Sequence, residues 1–337
     1  MYMRVVMFLA LSGALYALDV DELYRPTEAD KAVERALEWL SRHQKPDGSW
    51  DSPAYRNATG ICSLATLAFL ANGHLPGKGP YGETVDKAVK FIVGAARPDG
   101  LVTTTTSHGP MYCHNITTIM LSEVLGETPD QRVAKVLETA IQVILKAQQV
   151  HKDAAHAGGW RYQPGSGDSD LSCTGWPLVA LRAAQNAGLK IPKAPVDQAV
   201  AYVQRCHTSD GGFCYQPGGG ANTQLTGTGT LSLQLAGLYD SDYVKRGAQY
   251  LLSHPPTWNS GFFFYGAYYC TNAMYQAKDK YWDFWKPRME TCLLQHQNPD
   301  GSWPVPGSEA GAGPVYGTAM AVLALSVEYQ YLPIYQR

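Results

Sequence analysis

Charge is scarce in this sequence and never one-sided: charged residues make up 17% of it, with 27 Lys and Arg against 29 Asp and Glu. No basic cluster appears, which removes the electrostatic footprint of a nucleic-acid-binding protein. No strongly acidic face points to a cationic partner. A second long apolar run is missing as well, so nothing after the N-terminus reads as a membrane span. The seven cysteines (Cys62, Cys113, Cys173, Cys206, Cys214, Cys270 and Cys292) contain no Cys-x-x-Cys pair. An odd count leaves at least one unpaired. Cys206 and Cys214 flank a turn and are the pair best placed to bridge, while others sit in apolar helical contexts that suit buried free thiols.

The apolar run that does occur is N-terminal. Arg4 precedes residues 5–15, small residues follow, and then come Asp19, Asp21 and Glu22. This is the order of a secretory signal peptide cleaved after Ala17, or after Ala14, and it predicts an exported protein, periplasmic or extracellular in a bacterium. The run is short for a bilayer span, and a buried N-terminal strand or helix is the plainer alternative. No cysteine follows it to take a lipid anchor.

At 337 residues the chain has room for two average domains, yet repeat architectures of this length often form one. Six polar, glycine-containing turns recur: QKPDGSW (44–50), RPDGLV (97–102), AGGWRY (157–162), SDGGFCY (209–215), NSGFFFY (259–265) and QNPDGSW (297–303). They lie about 40–60 residues apart, a spacing typical of helical repeat arrays. The stretch before a turn is amphipathic: Ala32, Ala36, Leu37 and Leu40 share one helical face, with Lys31, Glu34, Arg35 and Glu38 opposite. The stretches after the turns (61–70, 117–125, 178–184, 229–238 and 318–327) are apolar nearly all round and belong in an interior. Two helix classes in alternation predict an all-α, single α/α toroid: six helix pairs over residues 25–330, about twelve helices in two concentric layers, with 331–337 as a C-terminal tail. In the turns, Gly48 and Gly301 take φ > 0. The Trp that follows is expected over the end of the preceding helix, with Gln44 and Gln297 capping its last carbonyls.

QKPDGSW and QNPDGSW resemble the QW-type repeat of squalene and oxidosqualene cyclases, and the chain is similar overall to the prenyltransferase and squalene cyclase repeat superfamily. Its tail, 331–337, resembles that of an exported bacterial branch to which the resemblance attaches no activity. GGWRYQPGSGDSDLS looks like the stretch that carries the cyclases' Asp-x-Asp-Asp-Thr acid motif. The resemblance implies a proton donor at Asp170 with Asp168 as partner, Leu171 standing where an adjacent aspartate belongs and Ser172 in place of Thr. Such chemistry keeps one carboxyl protonated in an apolar cavity. The same two aspartates serve equally as turn and capping residues, with Asp170 in the loop ahead of a helix capped by Thr174, which keeps Pro177 in its first turn.

The resemblance also implies a central cavity, for which His114, Ser172, Cys173, Tyr269, Cys270 and Tyr316 are candidates. For His114 a satisfied structural histidine is the commoner explanation. Protein prenyltransferases of this superfamily hold zinc, and Asp170, Cys173 and Cys270 are the nearest approach to such a set, off in spacing and without a His. No cofactor is therefore expected, with zinc as the alternative. The Cys-Gly-Glu-Gln of thioester toroids is absent. The aromatic stretch 261–270 fits a cavity lining, a membrane-surface contact or, most simply, a core. Thr226, Gly227, Thr228 and Gly229 open an inner helix and suit an anion contact or N-capping. The leading functional reading is a toroid binding an isoprenoid-like or other hydrophobic small molecule, with acid-initiated cyclase or isomerase chemistry if it is an enzyme. The alternatives are a non-catalytic exported binding or interaction toroid with an unknown protein partner, and a carbohydrate-active (α/α)6 enzyme. In the last, Asp168 or Asp170 would work with Glu123 or Glu309.

Overall fold

The computed structural model describes residues 25–104 and 109–336. The expected export segment, residues 1–17, lies outside them. The described residues form helix pairs in chain order: α1 (Glu28–Arg42) and α2 (Thr59–Leu70), α3 (Gly82–Gly94) and α4 (Pro110–Val124), α5 (Arg132–Gln148) and α6 (Leu171–Asn186). Then come α7 (Lys193–Arg205) and α8 (Thr223–Leu235), α9 (Asp242–Ser253) and α10 (Phe263–Ala277), and α11 (Asp279–Leu294) and α12 (Gly313–Leu325). One two-stranded antiparallel sheet, β1 (Phe213–Cys214) with β2 (Ala221–Asn222), sets Phe213 opposite Asn222.

The two helix classes sort as their patterns demand. On α1 the residues Ala29, Ala32, Val33, Ala36, Leu37, Trp39 and Leu40 are buried, whereas Lys31, Glu34, Arg35 and Glu38 are exposed. Every residue of α2 is buried. The even-numbered helices form the inner ring, each packed on the next from α2 round to α12 and back to α2, while α11 meets α1 to close the outer layer. The fold is thus the α/α toroid that the alternation predicted, and no helix among the described residues is long and apolar enough to cross a membrane.

Three of the six corners share one device. The indole N–H of Trp50 donates to Leu40 O, that of Trp160 to Ile144 O and that of Trp303 to Leu293 O, each at 2.8 Å, so each ring sits over the end of the preceding outer helix. The glutamines act elsewhere than expected. Gln44 donates to Gly48 O in its own turn and to Thr84 O on α3. Gln297 likewise spans Gly301 O and Ala32 O on α1. They tie each turn to the next outer helix rather than capping the last one. Contact there is close: a Cβ on Gly48, whose φ is +89°, would lie 2.2 Å from Lys87 O.

All inner helices start at one end of the ring. The opposite end is closed by the tail, whose short 3-10 turn Pro333–Tyr335 packs on α6. Ile334 and Tyr335 are buried, the Tyr335 and Tyr268 hydroxyls bond each other, and Gln276 donates to Tyr335 O at 2.5 Å. Burial pushes the nearby Glu123 carboxyl up to about 8. The ring centre holds packed aromatics: Trp176 stacks on Tyr268 at 5.4 Å and meets Tyr269 edge to face at 5.0 Å.

Candidate functional site

The turn after α5 becomes a hairpin closed by an antiparallel bridge between Trp160 and Asp170, with Asp170 N–H donating to Trp160 O at 3.0 Å. Trp160 is anchored twice, through its indole to α5 and through its backbone N–H to Thr174 Oγ1 on α6 at 3.1 Å. This rigid closure turns Arg161 and Tyr162 toward the end where the inner helices begin.

Asp170 is the N-cap of α6, which starts earlier than the sequence reading expected and carries Pro177 in its interior. An aspartate cap satisfies the first amides without needing Thr174, so the proline is left to the packed middle of the helix. Asp170 is fully buried, and four donors converge on it. Ser172 Oγ at 2.6 Å and Cys173 N–H at 2.8 Å meet Oδ1, while Arg161 Nη1 at 2.5 Å and Tyr215 O–H at 3.1 Å meet Oδ2. Arg161 also donates to Tyr215 Oη at 2.7 Å and reaches Asp168 Oδ2 through Nε at 3.2 Å. The two aspartates are therefore brought together, but through a shared guanidinium. Burial works against the charge on Arg161, but the charge and hydrogen bond of Asp170, together with Tyr215 and Asp168, outweigh it and hold the guanidinium above its ordinary range.

Aromatic rings surround this pair. The Arg161 guanidinium lies 5.1 Å from the Tyr162 ring centre and 5.4 Å from that of Tyr215, distances at which the ring faces attract a cation. The Tyr162 and Tyr215 hydroxyls are 3.1 Å apart, and Tyr162 stacks on Tyr112 at 5.7 Å. Burial drives the Tyr112 and Tyr265 hydroxyls well above their usual range, with the charge of Asp170 adding to it. Tyr112 and Tyr162 are only half-buried, so the aromatic wall reaches solvent.

The remaining candidates disperse. Ser172 and Cys173 belong to the Asp170 cluster, and burial pushes the Cys173 thiol far up. His114 lies between the layers: Nδ1 accepts Val102 N–H at 3.1 Å and Nε2 donates to Ala140 O at 3.0 Å. Burial pulls it down to about 4. It occupies the place that Thr174 holds in the next repeat. Tyr269 is buried in the centre with an unpartnered hydroxyl. Cys270 lies in the seam of α8 and α10, its thiol donating to Thr223 O at 3.4 Å. Asp170, Cys173 and Cys270 therefore do not assemble as zinc ligands, and among the described residues no group of three His, Cys, Asp or Glu could hold a metal ion. Tyr316 donates to Glu309 at 2.5 Å, and Glu309 accepts the N–H groups of Phe264 and Tyr265 at the start of α10. Glu309 thus shares the Asp170 end of the ring, while Glu123 sits at the closed end. Thr226 accepts Phe213 N–H, and Thr228 bonds the Tyr265 hydroxyl at 2.8 Å.

Chemically, Asp170 is surrounded by groups that donate to it, which suits a carboxylate held in place rather than an acid poised to release a proton. Arg161, Tyr162, Tyr215 and Tyr112 complete the site and were not singled out in the sequence. A signal existed: GGWRYQPG and GGFCYQPG each place a Tyr two residues after the buried aromatic, and those two tyrosines meet.

Drimenyl diphosphate synthase of Streptomyces showdoensis is 26% identical over 203 residues, covering 60% of this chain and 36% of that protein, so the chain matches about a third of its relative's length. An inactive variant of an alpha-1,6-mannanase of Salegentibacter sp., in complex with alpha-1,6-mannotriose, superposes with a TM-score of 0.67 at 10% identity, over 90% of this chain and 100% of that one. A type II terpene cyclase from Scytonema, in complex with geranylgeranyl dihydroxybenzoate, gives 0.59 at 13% identity, over 91% of this chain and 98% of that one. At such identities the likeness speaks for the fold alone. The prenyltransferase alpha-alpha toroid domain family matches residues 3–263. Through that match, and with the ring of inner and outer helices described above, the chain belongs to the prenyltransferase alpha-alpha toroid domain family.

Proposed function

We propose that the protein is a binding toroid for an isoprenoid-like or other hydrophobic small molecule, held against the tyrosine wall with its polar end at Arg161 and Asp170. The observation that carries this reading is a buried carboxylate paired with a partly exposed guanidinium among aromatic rings, at one end of a ring whose other end is plugged by its own tail. Aromatic faces supply apolar area to a polyprenyl chain. Arg161 supplies a fork of donors to a polar or anionic head. The aromatic filling of the ring centre and the four donors on Asp170 favour binding over acid-initiated catalysis. The sequence likeness to drimenyl diphosphate synthase supports the ligand class.

Carbohydrate binding is the second reading, favoured by Asp170 and Glu309 at one end of the ring and by tyrosines able to stack on sugars. Native mass spectrometry and lipid extraction of gently purified protein, followed by titration with geranylgeraniol and with alpha-1,6-mannotriose, tests both. Isoprenoid binding lost in Tyr112→Ala and weakened in Arg161→Met supports the proposal. Binding of mannotriose alone moves the assignment to the second reading, and binding of neither overturns both.

A further inference from the structure

The fourth repeat carries a pair of thiols that no step above uses. Cys206 ends α7 and Cys214 lies in β1, and between them His207 and Phe213 form an antiparallel bridge. Cys214 N–H donates to Cys206 O at 2.9 Å, and the Cys214 thiol lies 3.1 Å from that same carbonyl and 2.9 Å from Gln216 O. Cys206 and Cys214 thus face each other across the hairpin, next to that bridge. Both residues are buried. The chain then runs directly into the candidate site. Tyr215 donates its hydroxyl to Asp170, its carbonyl accepts Leu171 N–H at 2.9 Å, and Gln216 donates to Ser169 O at 2.9 Å.

We propose that Cys206 and Cys214 are a reversible dithiol–disulfide couple whose oxidation locks Tyr215 and Gln216 against the Asp170 site. The oxidant is a low-molecular-weight disulfide. Cys214, as thiolate, attacks one of its sulfurs, forming a mixed disulfide and releasing the first small thiolate. Cys206 then attacks the Cys214 sulfur, expels the second small thiolate and gives up its proton to it. Two protein thiols and one small disulfide thus become one protein disulfide and two small thiols. The division of roles follows the surroundings. The neighbouring Cys206 side chain, with help from the Gly219 and Gly218 N–H groups, brings Cys214 down to about 7 against the effect of burial, whereas Cys206 is driven up. Entry is through the loop that covers Cys214, where Gly218, Gly219 and Gly220 follow one another. A Cβ added to Gly219 would lie 3.4 Å from Cys214 Cβ, whereas one on Gly218 or Gly220 would touch nothing within 4 Å, so Cys214 lies under a single layer of glycine backbone. The inference uses the contacts of the site and not the identity of its ligand.

The test is equilibration of the full chain with reduced and oxidised glutathione, then alkylation, denaturation and peptide mapping. The expected result is loss of the Cys206 and Cys214 thiols together, with one linked peptide that reductant restores. Cys206→Ser should trap glutathione on Cys214, and Cys206→Ala serves if the serine variant fails to fold. Hydrogen exchange of the Leu171 amide should slow about tenfold in the oxidised protein, since its acceptor is Tyr215 O. Both thiols remaining alkylatable where an unfolded peptide of residues 206–214 oxidises, or a different pairing, overturns the couple. An unchanged Leu171 amide in the oxidised protein overturns the locking. No readout depends on a ligand, so failure here and failure of the binding proposal remain separate.

Discussion

The hairpin closed by Trp160 and Asp170 and the hairpin closed by Phe213 and Asn222 share almost every backbone and capping contact. Asp170 and Asn222 are both N-caps in extended conformation, with φ −137° and −141°. Each accepts the amide three residues on, Cys173 at 2.8 Å and Leu225 at 2.9 Å. Thr174 and Thr226 each accept the amide of the buried aromatic and donate to the cap carbonyl at 2.7 Å. Tyr162 O and Tyr215 O each accept the first amide of the preceding inner helix. The side chains differ where the backbone does not: Arg161 stands at the register of Cys214, and a buried Asp stands where an exposed Asn suffices. Capping therefore explains an acceptor at residue 170 but not a charge. The charge, and the arginine that neutralises it, is what sets the third repeat apart.

That comparison is broken most directly by Asp170→Ala, which removes the cap and strands Arg161. A loss of about 3 kcal/mol is expected, the low end for breaking a buried pair because Arg161 is partly exposed, read from urea unfolding. Asp170→Asn should recover about 1 kcal/mol of this by restoring the cap alone.

The second repeat sharpens it, since His114 takes the position of Thr174. In the folded protein His114 stays neutral down to about 4, while unfolded histidine takes a proton near 6.5. The unfolded state thus binds more protons between these values. The His114 contribution to stability is full above about 6.5 and falls by about 3 kcal/mol as pH drops to 4. Urea midpoints across this window, compared with a His114→Gln variant that lacks the slope, check it.

In the fourth repeat Asn222→Ala removes a cap without stranding a charge, so thermal unfolding should show a loss of about 1 kcal/mol. The smallest effect belongs to Tyr215→Phe, which deletes one hydroxyl between Asp170 and Arg161. About 0.5–1 kcal/mol of stability is expected to go. Under the proposed function, geranylgeraniol affinity should change more than stability does, as titration calorimetry would reveal. An equal fall in both would make the hydroxyl purely structural.

The toroid was legible because period and turn chemistry are local. Gly48 and Gly301 in their Asp-Gly turns, and the polar stripe of Lys31, Glu34, Arg35 and Glu38, need no partner to be read. Asp170 was legible as well, because two aspartates one residue apart stand out in a chain so poor in charge. The inner helices defeated finer reading: α2 is buried at every residue, and a helix without a polar face does not announce which side meets the ring axis. His114 accordingly reads from sequence as a cavity candidate or, more commonly, a structural histidine, and its place in the interlayer seam comes from the structure. Cys270 and Tyr269 adjoin in sequence yet belong to a seam and to the aromatic centre.

Sequence alone determined the alternation of two helix classes, the six turns and the place of the acidic loop, all of them consequences of neighbours within a few residues. Only the tertiary structure decided that Asp170 meets Arg161 within its own hairpin and Tyr215 from the next. It also decided that the glutamines reach forward to the following outer helix, and that the tail fills the far end of the ring. Apart from the Arg161–Asp170 pair, these contacts join residues on different helix pairs, and the packing of one pair on the next, which no local pattern encodes, is what brings them within hydrogen-bonding distance.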